Sequence, residues 1–177
     1  WDYSGGNCTD QGTHLMDVVQ WFMGQGTPRA ATQFGDVAVM KGSETPDVFT
    51  ASFEYENYLA TWTLNYTNTM DNGWNIKFFG TEGTLWLDNG GARLYEQKET
   101  GTTYNRTDKP HLAKEIKKPL GDREHIQNFI ECMRSREEPN APVEVGHTAV
   151  CGPHLANLAL LHGQKAELNE NATRVYL

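Results

Sequence analysis

The sequence predicts an α+β layer architecture, and three observations carry that prediction. Residues 4–24 repeat apolar side chains at the helical period. Residues 31–96 alternate polar and apolar side chains in short runs broken by Gly and Asn, and two further helical segments follow residue 121. The 177 residues fit one domain with a sizeable core. A formal net charge of −8 without any Lys/Arg cluster argues against nucleic-acid or anionic-membrane partners. No apolar run approaches membrane-spanning length and no signal-like segment stands out. Cys8, Cys132 and Cys151 are odd in number and widely spaced, which fits neither a disulfide framework nor a zinc site. Cys8 lies near a helix start but has no base beside it, so it reads as an inert small side chain.

The first helix runs through "SGGNCTDQGTHLMDVVQWFMG". Gly5-Gly6 allows a tight entry turn, and Asn7 or Thr9 is placed to cap. Leu15, Val18, Val19 and Phe22 form a core-facing stripe, while Asp10, His14, Asp17 and Trp21 form a second stripe about 120° around. That second stripe holds no Lys, Arg or Glu, so it suits a surface that something else covers. Gly24 to Pro28 ends the helix, and Ala31 to Met40 has strand character.

"VFTASFEYENYLATWTLNYT" then reads as two strands joined at Glu56-Asn57. Phe49, Ala51, Phe53 and Tyr55 share one face with Ala60, Trp62, Leu64 and Tyr66. The other face carries Thr50, Ser52, Glu54, Thr61, Thr63 and Asn65, too mild for a freely solvated sheet. "WNIKFFGTEGTLWLDNGGARLYEQ" gives three short strands separated by Gly turns. Thr100 to Pro119 reads as a loop. Asp122 to Arg136 is a helix with Ile126, Phe129, Ile130 and Met133 on one side. "EEPNAPVEVG" is a connection, and His147 to Gly163 is an apolar helix kinked in its early part by Pro153. Lys165 to Leu177 adds an edge strand.

The spacing of Asp10 and His14 alone admits three readings: a helix-stabilising pair, part of a metal site, or a catalytic pair. The chain contains no P-loop, no Gly-x-Ser-x-Gly elbow and no His-Glu-x-x-His. The Gly-x-Gly-x-x-Gly dinucleotide fingerprint is also missing, since "GQGTPR" at Gly24 follows a helix and is broken by Pro28 and Arg29.

Gly5, Gly6, Asp10, Gly12, His14, Asp17, Trp21 and Gly24 resemble the start of the C-terminal domain in the glucose–fructose oxidoreductase, inositol dehydrogenase and rhizopine-catabolism (Gfo/Idh/MocA) family. "FFGTEGTLWL" and "NFIECMRSREEPNAPVEVGHTAV…ANLALLHG" are similar to later parts of the same domain. The resemblance implies an open, largely antiparallel β-sheet with helices packed on one face, like the C-terminal domain of dihydrodipicolinate reductase. It implies that residues 1–177 form a substrate-binding and oligomerisation domain without its N-terminal Rossmann half, which also accounts for a start at Trp1. NAD or NADP would bind to that missing half and not to this chain alone, and no metal is implied.

By the same resemblance His14 is the acid–base group acting on a substrate hydroxyl, and Asp10 orients its ring. Histidine as a residue type titrates near neutrality, which suits that role. Asp17, Trp1, Trp74 and His154 are the substrate-binding candidates, with ordinary packing as the competing account for each. The implied activity is oxidation of a sugar, cyclitol or related polyol hydroxyl by hydride transfer. The alternatives are a non-catalytic binding or dimerisation module, and an NAD-dependent glycosidase of the same family. Expected partners are a sugar-like small molecule, the Rossmann half and a second copy through the sheet face. The cytoplasm is the expected compartment, with the periplasm left open.

Overall fold

The computed structural model describes residues 1–70, 73–97, 110–118 and 122–177. The elements run α1 (Gly6–Met23), β1 (Ala30–Asp36), β2 (Val48–Glu54), β3 (Leu59–Asn65), β4 (Asn75–Phe79), β5 (Gly83–Asp88), β6 (Gly91–Glu96), β7 (His111–Lys117), α2 (Arg123–Ser135), α3 (Val143–His162), β8 (Ala166–Leu168) and β9 (Val175–Tyr176). The α+β expectation with open antiparallel sheets holds, and the strands divide between two sheets. They belong to two compact units, Trp1–Asn72 with Asn140–Leu177, and Gly73–Pro139.

In the first unit the sheet order is β3-β2-β1-β8-β9. Phe49, Ala51 and Phe53 of β2 lie opposite Leu64, Trp62 and Ala60 of β3, so the alternation puts one apolar face under α1 and α3. Phe53 and Ala51 are fully buried there. A buried Phe of this kind contributes about 1.5–3 kcal/mol relative to exposure. The helices run antiparallel, since Gln20 near the end of α1 bonds to Thr148 near the start of α3, and Asn157 farther along α3 bonds to Gly5.

Four expectations need correction. β1 stops at Asp36 instead of reaching Met40, because the buried Asp47 carboxylate accepts the N–H groups of Ala38, Val39 and Met40 and folds them into a loop. Those backbone bonds, Ala38's first, hold the Asp47 carboxyl below the usual carboxylate range. Residues 111–117, read as loop, form β7; a bulge opposite Leu94/Tyr95 breaks the period of two that would have revealed the strand. The rest of that expected loop lies outside the described residues. α3 begins at Val143, not His147, with the extended Pro142 as its N-cap. Pro153 therefore sits mid-helix, the eleventh of 20 residues, and not in an early turn.

The second unit holds the sheet β4-β5-β6-β7 and α2. Ile76, Phe78, Leu85 and Leu87 share one face. On the other face Lys77, Trp86, Arg93 and Glu115 line up across the strands. The Lys77 ammonium and the Arg93 guanidinium lie 4.2 and 4.9 Å from the Trp86 ring centre. α2 forms where its periodicity placed it, yet none of its residues is buried.

Candidate functional site

The candidate site is the exposed face of the first half of α1. Its entry turn depends on glycine: Gly6 has φ 66°, and a Cβ there would lie 2.5 Å from the Thr45 side chain. Ser4 Oγ accepts the Gly6 N–H at 3.1 Å. The helix thus begins upstream of the expected caps. Asn7 and Thr9 fall inside the first turn, the N-cap is Gly5 with no side-chain cap, and Thr9 Oγ1 donates instead to the Gly6 carbonyl.

The buried face of α1 consists of Cys8, Gly12, Leu15, Met16, Val19 and Gln20. That face is rotated from the expected one, and Phe22 is 47% exposed. Close approach causes the rotation: a Cβ on Gly12 would sit 2.6 Å from the Trp62 ring, so the helix meets the sheet there. The Cys8 thiol donates to Gln33 Oε1 at 3.2 Å, and burial pushes its pKa up to about 12, consistent with an inert cysteine. Gln20 Nε2 donates to the Tyr55 hydroxyl at 3.2 Å and to the Thr148 carbonyl at 3.1 Å.

The turn and the buried face together leave the second stripe open. Asp10 and His14 are exposed, Asp17 is half-buried, and Trp21 is 79% exposed with an edge-to-face contact to Phe22. Among the described residues no hydrogen bond or ion pair engages the side chains of Asp10, His14 or Asp17, so the pair is not joined to each other.

Tyr66 borders this face and was not picked out as a site residue from sequence. Its hydroxyl donates to Asn7 Oδ1 at 3.2 Å and accepts from Gln11 Nε2 at 3.1 Å. The signal was its alternation with Trp62 and Leu64, which turns it towards α1.

The other candidates are placed less uniformly. Trp1 is half-buried. His154 is exposed on α3, so it is not packed in the core of this chain. Its neighbour Pro153 receives the Cys8 thiol through its carbonyl, which brings this part of α3 to the first turn of α1. Trp74 lies just before β4, in the second unit.

The start of α1 does not fit a dinucleotide. The Gly6 N–H is taken by Ser4, Gly6 abuts Thr45, and the Gly5 carbonyl is held by Asn157, which leaves no open cradle for a pyrophosphate. Among the described residues no group of three or more His, Cys, Asp or Glu side chains is arranged to hold a metal. A cavity of about 820 Å³ opens at the opposite end of α1, beside Arg29, Glu54 and Lys165. Its cations are already paired, Arg29 with Glu56 and Lys165 with Glu54 and Glu167.

Residues 1–86 match the family described as GFO/IDH/MocA C-terminal domain. No curated protein matches the sequence. Among solved structures, the fold is shared with a Desulfitobacterium hafniense protein at 17% identity and TM-score 0.70, covering 92% of this chain and 48% of the other. The WlbA dehydrogenase from Bordetella pertussis, solved in complex with NADH and UDP-GlcNAcA, matches at 17% identity and TM-score 0.61, covering 90% of this chain and 44% of the other. UDP-N-acetylglucosamine 3-dehydrogenase GnnA from Acidithiobacillus ferrooxidans matches at 14% identity and TM-score 0.64, covering 84% and 45%. The chain spans about half the length of each of these proteins. No helix among the described residues is long and apolar enough to cross a membrane. Residues 1–86 are thus similar to the GFO/IDH/MocA C-terminal domain, and the chain has the fold of the solved chains it matches.

Proposed function

We propose that this chain is the substrate-binding, acid–base half of an NAD(P)-dependent oxidoreductase acting on a hydroxyl of a sugar, cyclitol, related polyol or sugar nucleotide. The observation that carries the reading is the open Asp10/His14 face on a helix whose entry turn and buried side are both fixed by close packing. The family match over that helix, and the dehydrogenases of the same fold, support it. A nicotinamide held outside this chain would supply the hydride acceptor. His14 takes the proton from the substrate hydroxyl, or returns it in the reverse direction. Asp10, one turn earlier, steadies the protonated ring once substrate brings the two together. Tyr66, Asp17 and His154 offer polar contacts to substrate hydroxyls, and Trp1 of the same unit offers an apolar face to a sugar ring.

In a two-domain enzyme containing this chain, His14→Ala should lower kcat by about 10²–10⁴-fold. Unchanged kcat would overturn the assignment. Titration of the chain alone with NADH and NADPH should detect no binding tighter than about millimolar, because the start of α1 leaves no open phosphate cradle.

A second reading, a binding or dimerisation module, is favoured by the outer face of the first sheet. Phe34 is 78% exposed there, and it pairs across the strands with Thr50 and then Thr63. Covering this face with a second copy would bury the aromatic symmetrically, and it is compatible with either function. Light scattering at tens of micromolar should report at least a dimer, and Phe34→Glu or Thr63→Lys should weaken it. A monomer at that concentration removes the sheet face from the reading.

A further inference from the structure

We propose that Asn157 is the positioning residue of the Asp10/His14 face: its side-chain amide, donating to the Gly5 carbonyl, fixes the orientation of the α1 entry turn, while Gly12 on Trp62 seats the middle of the helix. The inference deepens the reading given above and rests on it. Asn157 is 6% exposed, and its Nδ2 reaches Gly5 O at 2.8 Å across 152 residues of chain. Its Oδ1 is buried without a partner. An unpaired buried oxygen is costly, so an apolar residue would serve the core better; what the amide adds is the single bond to the entry turn.

Gly5 is shaped for that bond. A Cβ there would lie 2.7 Å from Asn157 Nδ2 and 2.4 Å from Thr9 Oγ1. Gly5 is the N-cap and has no side-chain cap of its own; Ser4 and Thr9 bond Gly6, and the long-range bond from Asn157 is what ties the Gly5 carbonyl to α3. Tyr66 bonds Asn7 and Gln11 at the border of the working face, and Asn157 holds the same turn from the α3 side, so losing the amide frees the turn on one side. With a side-chain tip about 6 Å from the axis, a roll of about 10° moves it by about 1 Å. Misplacement of that size can lower a rate about 10²-fold.

The test uses the 177-residue chain with Asn157→Leu, which removes the whole amide, and Asn157→Asp, which keeps the shape but loses the donor. Amide exchange at Asp10, Gln11 and Gly12, whose bonds close the first turns, should speed up at least about 10-fold relative to α3. The His14 ring resonances should shift in the same variants. If either folded variant leaves both the exchange ratio and the His14 resonances unchanged, the positioning role is overturned, whatever happens to Tm. The acid–base reading fails separately, on the kcat of His14→Ala, so the two failures are distinguishable.

Discussion

α1 and α2 are both amphipathic helices, and α2 has the cleaner pattern, with Ile126, Phe129, Ile130 and Met133 on one side and charged residues around them. Yet α1 buries six residues and α2 buries none. The buried face of α1 includes a glycine, a cysteine and a glutamine, residues that an apolar count passes over. What buries them is specific: Trp62 against Gly12, Gln33 against Cys8, and Tyr55 with Thr148 against Gln20. Periodicity states which side of a helix is apolar. The presence of a complementary surface at contact distance decides whether that side is covered.

The largest expected difference between the two helices is chemical. Cys8 of α1 is 2% exposed and its pKa is raised to about 12, whereas Cys132 of α2 is half-buried. At pH 8 a thiol reagent should label Cys8 far more slowly than Cys132, because Cys8 is buried and the thiolate is the reactive form. Equal rates would mean that the buried face of α1 opens readily. Next comes Gly12→Val, which drives a side chain into the Trp62 ring and should cost about 1–3 kcal/mol, read as a lower urea midpoint. A variant as stable as the parent would show that α1 stands farther from the sheet.

A smaller effect should follow from the loop that holds the α1 entry turn. The Asp47 carboxylate fixes residues 38–40, and Thr45 of the same loop meets Gly6. The Asp47 pKa is lowered on folding, first by the Ala38 N–H, so its contribution is fully present above the unfolded carboxyl pKa of about 3.9. That contribution is lost as pH falls through the folded value. Urea midpoints of the parent and Asp47→Asn should therefore differ by a constant amount above about pH 5 and converge below about pH 4. A gap that ignores pH would remove the carboxylate from the account. The smallest change is expected in α2: Phe129, 59% exposed, should tolerate Ala within about 0.5 kcal/mol. A loss above about 1 kcal/mol would mean that the stripe is covered in solution, and would bring α2 closer to α1 in kind.

The sequence by itself determined which segments are helices and strands wherever the period was uninterrupted, which covers α1, α2 and β2 to β6. It also determined that Asp10, His14, Asp17 and Trp21 share one line along α1, because side-chain direction follows from helical geometry alone. Motif order along nearly the whole chain resembles the Gfo/Idh/MocA C-terminal domain, and the family model matches residues 1–86. Local pattern failed at Ala38 to Met40, captured by the Asp47 carboxylate; in β7, hidden by a bulge; and at the start of α3, set by Pro142. Only the tertiary structure decided that α1 is seated through Gly12 on Trp62, that Tyr66 flanks the candidate face, and that Asn157 grips Gly5. The reason is physical. Side-chain direction is a local property of the backbone, whereas close approach, burial of amides and the partner of each polar group depend on segments far apart in sequence, and no periodicity records those distances.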